Sequence, residues 1–515
     1  MKLLKQVGIL ASTALIVVTV AIGAANGYRL FAYTSEYGLG IRSDSIRYMW
    51  IAENLVNGKG LGRSLPDGSV TLETHWPPLY PVLQAILHSF GFSLKDAQRI
   101  LAAVSVAAII VVCGILLLGS AQFSYISFLF ILFLSFSPML WDTSLYAMTE
   151  SVYMMWVLLA FLFLSVYFKQ RNVFWLILSG IMQSLAFMTR YVGISVVLTG
   201  LIAVWWLNRR IPLARRMRDM MLLGVVSLTP NLIWFVVSFS YNNRFGNRAL
   251  RFSPISTEEL TAFYRLIADW LPTISLSANI PVTYLTIFVV AAAGFAVLQI
   301  GLPAVFPIRF EKVYQIMGLS TVAHGLITFL SKFFFDRFIP LDEKRIWLPI
   351  YISLLFNVIW LLEIGLKKLS SGSLFEKSRR FSWPQFLILF TIFFYTFYSA
   401  FLSKRESDDL LYAVQRSGLG LARIKAEDLP ITPFITQPDP SEIYLTDNLD
   451  LLYYFYKIPS HQIGWNGLEN WHNYCAEKSC SIVLFHGGDF QRAVEQVFAN
   501  YQKLVDEQPY ALFRK

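Results

Sequence analysis

The chain has 515 residues, 56% of them hydrophobic and 15% charged, with a net charge of +10 at neutral pH. Soluble domains carry roughly 25% charged residues. Here the apolar residues gather into runs near the roughly 20 that a helix needs to cross a bilayer, which excludes an ordinary soluble fold. The cations lie mainly where loops on one side of a membrane would fall, so orientation explains the basic balance and a nucleic-acid partner is excluded.

In chain order, Lys2 and Lys5 precede an apolar stretch over 7–25. It exceeds the roughly 7–15 apolar residues of a signal-peptide core and reads as a retained first span. Further spans are expected near 97–118, 122–139, 150–168, 173–189, 191–207, 220–240, 281–302, 313–333, 346–365 and 384–402. With the first span at 7–27 this makes an α-helical polytopic membrane protein of about 11 transmembrane helices. A cytoplasmic N-terminus places Lys169 and Arg171, then Arg209, Arg210, Arg215, Arg216 and Arg218, in inner loops. Arg309 with Lys312, and Lys367, Lys368, Lys377, Arg379 and Arg380, fall in two others, and the inverse frame contradicts this bias. Three long segments then face outward: 28–96, 241–280 and everything after 402.

Within the first of these, the apolar stretch 79–90 is too short to span and reads as interfacial or re-entrant. In the second, Ser256-Thr257-Glu258-Glu259 has capping-box spacing ahead of an amphipathic surface helix ending near Trp270. After Ser403 the composition becomes that of a soluble segment. Strands are expected at 443–446 and 481–485 and helices at 448–456 and 490–501, an alternation that suggests a small α/β domain. The expected division is a membrane core over 1–402, with its first outer loop at 28–96, and an extracytoplasmic domain over 403–515. Of three cysteines, Cys113 lies in an apolar run. Cys475 and Cys480 lie outside on this topology, where a disulfide or two thiols are both permitted. No metal-ligand cysteine spacing is present.

The most informative stretch runs from Arg42 to Leu55. Tyr48, Ile51, Ala52, Leu55 and Val56 follow the i, i+3, i+4, i+7, i+8 pattern of an amphipathic helix. Asn57-Gly58-Lys59-Gly60 stops it, glycine best tolerating a left-handed cap. Asp44 therefore heads a short helix just beyond the first span, and an aspartate there is also a good N-cap. Further on, the prolines of His75-Trp76-Pro77-Pro78-Leu79-Tyr80-Pro81 enforce a stiff turn.

Taken together, Asp44-Ser45-x-x-Tyr48-x-x-x-Ala52-x-x-Leu55-x-x-Gly58 and Pro77-Pro78-Leu79-Tyr80-Pro81 resemble the C-type glycosyltransferases. More narrowly they are similar to the branch of protein O-mannosyltransferases and lipid A aminoarabinose transferases, near glycosyltransferase family 39. Thr149-Glu150, the run from Leu185 to Gly193, Arg345-Ile346-Trp347-Leu348-Pro349 and the run from Tyr444 to Tyr454 match in the same order. The resemblance implies inverting transfer from a polyprenyl-phosphate sugar to a lipid, glycan or protein acceptor, with Asp44 as catalytic base. A carboxylate within reach of an acceptor hydroxyl can take its proton, and the departing lipid phosphate needs cations or a metal. Metal-using relatives often carry a second acid two positions on. Ile46 stands there, so no metal or other cofactor is indicated and Arg and Lys are expected to meet the phosphate.

Glu150, opening an apolar run, is the candidate supporting acid, and Asp142 on the same outer loop is the other acid able to approach the substrate. Candidate substrate-binding residues are Tyr48, His75, Asp142, Arg190, Tyr191, Lys332, Arg337 and Arg345. His75 beside a proline turn also reads as structural, and Arg190 as a snorkelling arginine. The cluster of Lys332, Asp336, Arg337, Asp342, Lys344 and Arg345 either awaits a lipid phosphate or pairs internally. The rival function is a lipid-linked saccharide transporter. It would place ionisable groups near the midplane of several spans, whereas these spans are nearly free of charge at their centres.

Overall fold

The computed structural model describes residues 2–120, 124–209, 211–242, 252–268, 270, 312–334, 341, 343–371, 383–435, 442–465 and 467–515. The span expected at 281–302 and the candidate Arg337 lie outside the described residues, as do Asp336 and Asp342. The helices are α1 (Lys2–Tyr33), α2 (Ser43–Val56), α3 (Leu79–Ser89), α4 (Leu94–Leu118), α5 (Ser124–Ser135), α6 (Pro138–Ser144), α7 (Glu150–Gln170), α8 (Val173–Thr189), α9 (Ile194–Leu207) and α10 (Leu213–Asn242). There follow α11 (Thr257–Ala268), α12 (Lys312–Phe334), α13 (Lys344–Ser371), α14 (Trp383–Ser417), α15 (Thr432–Ile435), α16 (Leu449–Tyr456), α17 (Leu468–Tyr474) and α18 (Asp489–Val497).

Six helices among the described residues are long and apolar enough to cross a membrane, at Thr13–Tyr33, Leu94–Leu118, Glu150–Gln170, Leu213–Tyr241, Lys312–Phe334 and Lys344–Ile364. The bent pair α5 and α6 makes up to seven. The chain is a polytopic membrane protein. At 17 and 14 residues, α8 and α9 are apolar helices shorter than these six. The run expected as one span over 122–139 is broken, with 40° between its two helices. Pro138 at the first position of α6 disfavours helical backbone in the residue before it, and Ser137 is extended at φ −60°, ψ 120°. The indole of Trp141 donates to the Ser135 carbonyl at 2.9 Å, giving that broken end a partner.

The chain divides into two compact units. The first comprises 1–35, 74–79 and 99–413. There α1 packs closely on α4, where a Cβ at Gly27 would meet the Ala103 carbonyl oxygen at 2.7 Å. Asp408 of α14 binds Arg29 of α1 and accepts from Lys404 at 2.6 Å. The capping box expected ahead of α11 is formed: Glu259 N–H donates to Ser256 Oγ at 3.2 Å and Ser256 N–H to Glu259 Oε2 at 3.0 Å. Phe263 of α11 then packs 4.5 Å from the ring of Trp347 on α13.

The second unit comprises 36–73, 80–98 and 414–515. Its sheet has the order β4–β3–β5–β7–β6, from β3 (Ile443–Thr446), β4 (His461–Gln462), β5 (Cys480–Leu484), β6 (Gln502–Glu507) and β7 (Tyr510–Arg514). β3 pairs in parallel with β4 and β5, while β7 is antiparallel to β5 and β6. Alternation along the strands separates two apolar layers. Leu445, Ile482, Leu484 and Phe513 pack with Val494 and Phe498 of the α18 region, and Tyr444, Val483 and Leu512 with Leu452 of α16. Cys475 and Cys480 are joined in a disulfide. The same unit contains α2 and the hairpin of β1 (Gly62–Ser64) and β2 (Val70–Leu72).

Candidate functional site

Helix α2 starts at Ser43, so Asp44 is its second residue rather than its cap. The cap hydrogen bond is made by Ser45 Oγ, which accepts from Arg42 N–H at 3.1 Å. A carboxylate in the first turn interacts favourably with the helix dipole. The helix ends where expected, Gly58 adopting φ +71°. Its burial differs from a one-sided amphipathic helix: Ile46, Tyr48, Trp50, Ile51, Ala52 and Asn54 are buried, while Val56 is exposed. Two neighbours cause this. Asn54 bridges to the hairpin, donating to Gly62 O at 2.7 Å and accepting from Ser64 Oγ at 2.9 Å. On another face lies α16.

That second contact was not read from the sequence. Arg47 Nε donates to both oxygens of Asp450 at 2.9 and 3.0 Å. The Trp50 and Tyr453 rings stack at 3.8 Å, and Glu53 accepts from Tyr453 OH at 2.6 Å and from Lys457 Nζ at 2.9 Å. Burial raises the Glu53 pKa, but the Tyr453 hydroxyl and Lys457 ammonium outweigh it and hold the carboxyl below its ordinary value. Asp450 and Tyr453 belong to the run whose resemblance was noted, which was the available signal. Tyr48 packs edge-on to Tyr80 at 5.2 Å, within the same unit.

In the first unit, Glu150 begins α7 and is 2% exposed. Its Oε1 forms an ion pair with Arg190 and lies 3.5 Å from Arg345 Nη1. Arg190 also donates to Thr149 Oγ1 at 3.2 Å, and Arg345 Nε lies 2.6 Å from Glu343 Oε1. The structure thus brings together three of the residues expected in the site, with Glu343 balancing the second arginine. Glu150 Oε2 is buried and has no hydrogen-bond partner among the described residues. A buried acceptor in that state costs free energy until a donor reaches it.

The chain reaches this geometry through the end of α8. Arg190 leaves the helix extended at φ −147°, ψ 133°, and the turn Tyr191–Gly193 folds back. A Cβ on Gly193 would sit 2.5 Å from Phe187 Cα, so only glycine permits this approach. Tyr191 OH donates to the Thr74 carbonyl at 2.8 Å and accepts from Trp234 Nε1 at 3.0 Å, so the stiff turn after Thr74 is tied to α10. His75 lies in that turn, edge-on to Trp76 at 4.5 Å.

Two other candidates belong to the same unit. Lys332, almost wholly buried, is committed to Glu259 at 2.5 Å. Asp142 is half-buried on α6 and makes no hydrogen bond or ion pair among the described residues. One ionisable side chain does stand within a span. His324, in the middle of α12 and buried, has Nδ1 3.2 Å from Ser195 Oγ and 3.5 Å from Tyr153 OH. A neutral imidazole tolerates such a position because neighbouring hydroxyls satisfy it. No group of three or more potential metal ligands stands together among the described residues.

Comparisons with known proteins bear on the same region. The family model described as dolichyl-phosphate-mannose-protein mannosyltransferase matches residues 75–234, which include Glu150, Arg190 and Tyr191 but neither Asp44 nor Arg345. No curated protein sequence matches significantly. Among solved structures, ArnT from Cupriavidus metallidurans in the apo state superposes with a TM-score of 0.63 at 15% identity, covering 98% of each chain. The same protein bound to undecaprenyl phosphate gives 0.62 at 15% identity, again over 98% of each chain. The resemblance to C-type glycosyltransferases read from the motif order therefore extends to the fold, and this chain has the fold of those ArnT structures.

Proposed function

We propose that the chain is an inverting glycosyltransferase that moves a sugar from a polyprenyl-phosphate donor to an acceptor on the extracytoplasmic face of a cell membrane. In this reading about eleven helices span the bilayer, the N-terminus is cytoplasmic, and the C-terminal segment is an extracytoplasmic α/β domain. The observation that carries it is the buried Glu150 holding Arg190 and Arg345, in a fold shared with a protein solved with undecaprenyl phosphate bound.

Asp44 is assigned the acceptor proton. As the hydroxyl loses it, the acceptor oxygen bonds to the anomeric carbon, the bond from that carbon to the phosphate oxygen breaks, and polyprenyl phosphate leaves. Arg190 and Arg345 are assigned the growing charge on that phosphate, where planar guanidinium groups suit its oxygens. Glu150 is assigned the support of both by fixing their orientation, and its Oε2 is proposed to accept from a sugar hydroxyl.

Asp44→Asn keeps shape and removes basicity. Membranes bearing each form are given undecaprenyl-phosphate-linked sugars and donor consumption is followed. The variant should lose about 10²–10⁴-fold in rate. An inserted, folded variant that turns over donor at the wild-type rate ends the assignment. Transport of intact donor without consumption would favour the rival reading, in which His324 and its hydroxyl partners line a path through the helices.

A further inference from the structure

At the end of α7 opposite Glu150, the carbonyl of Arg171 accepts from Arg215 at 3.3 Å, so the α7–α8 turn meets the first turn of α10. Lys169, Arg171, Arg209, Arg215, Arg216 and Arg218 gather there. The acid among them, Asp219, is fully buried and accepts from Tyr167 OH at 2.6 Å and Arg218 Nη2 at 2.7 Å. Among the described residues of 169–172 and 208–219, Asp219 is the one acid beside five arginines and a lysine, a local excess of positive charge.

Orientation bias accounts for cations in such a loop, but it asks for no particular order among them. Here the Arg209 guanidinium lies 3.5 Å from the Trp206 ring centroid and that of Arg216 lies 4.2 Å from Trp205. Stacking holds each planar group flat on its ring and turns its N–H edges sideways. Two donors in this arrangement, Arg216 Nε and Trp206 Nε1, are buried and lack a hydrogen-bond partner among the described residues. Ile202 and Trp205 on α9, and Leu213 and Met221 on α10, are exposed, and each lies within about two helical turns of one of the cations along its helix. Free phosphate would satisfy the donors and leave that apolar surface bare. A lipid with an anionic headgroup satisfies both.

We propose that Arg209, Arg216 and the Trp206 indole form a binding site for the phosphate of an anionic glycerophospholipid, whose acyl chains lie along Ile202 and Leu213. The site is separate from the transferase reading and survives its failure.

The test uses the full-length protein in neutral detergent, titrated with phosphatidylglycerol or phosphatidylcholine and followed by native mass spectrometry. Wild type should retain phosphatidylglycerol at least about fivefold more tightly than phosphatidylcholine. Arg209→Gln with Arg216→Gln should weaken phosphatidylglycerol by about fivefold per arginine, while Arg492→Gln, an exposed cation of the other unit, should not. Trp206→Phe keeps the ring and removes the donor. It should weaken the lipid as well, and it decides the matter should the double variant fail to fold. Equal binding of the two lipids, unchanged binding in the variants, or displacement of phosphatidylglycerol by millimolar inorganic phosphate would overturn the proposal.

Discussion

Glu150 and Asp219 are both buried carboxylates in the first unit, and each meets two arginines, yet they are built differently. Arg215 and Arg218 lie within four residues of Asp219 on α10, with side chains 46% and 60% exposed. They can turn to water if the acid is removed. Arg190 and Arg345 reach Glu150 from the end of α8 and the start of α13, with side chains 24% and 23% exposed. Losing Glu150 would leave Arg190 and Arg345, both half-buried, without the acid they share, although Glu343 still pairs with Arg345. The local cluster is a property of one helix end, and the distant one depends on three helices meeting.

That difference can be broken by experiment. Glu150→Ala should cost about 3–5 kcal/mol, the range for removing one partner of a buried ion pair, read as the shift in unfolding by heat or denaturant. Asp219→Ala loses charged hydrogen bonds from Tyr167 and Arg218 but lets the arginines rehydrate, so about 1.5–3 kcal/mol is expected. An equal or larger cost at Asp219 would mean that the sequence-local cluster is the tighter of the two.

Glu53, in the second unit, extends the comparison to a half-exposed carboxylate. Its carboxyl is held below the ordinary value of 4.5, so its stabilising contribution is present above that pH and lost as pH falls through the lowered value. Thermal unfolding of Glu53→Gln should fall below wild type at pH 7, and the gap should close by about pH 3. A gap that persists in acid would assign the contact to packing on Trp50 and Tyr453. The smallest perturbation is Asp67→Cys, at an exposed hairpin tip, made in a chain whose Cys113 is buried and whose other cysteines are bonded. The proposed orientation expects it to react with impermeant maleimide on intact cells, with only a small loss of stability from the exposed hydrogen bonds that Ser69 gives Asp67. Labelling only after lysis would invert the topology.

Several elements are legible in the sequence alone. α8 begins and ends where its apolar run does, α2 stops at Asn57-Gly58, the capping box precedes α11, and β3 covers the expected four residues. Each rests on near-neighbour chemistry. The bend at Ser137 was missed because an apolar run looks continuous until Pro138 is weighed against the turn before it. β6 was missed because it is an edge strand with little buried surface and no apolar alternation. The site residues Glu150, Arg190 and Arg345 were each nameable, but their mutual contact was not, nor was the attachment of α2 to α16.

By itself the sequence determined that this chain is a polytopic membrane protein with helices at particular places. Hydrocarbon thickness and backbone hydrogen bonding act on contiguous stretches of some twenty residues, so the information is local. Only the tertiary structure decided which carboxylate receives which guanidinium. Ion pairs between distant residues depend on where helix ends arrive in space, and composition does not encode that arrival.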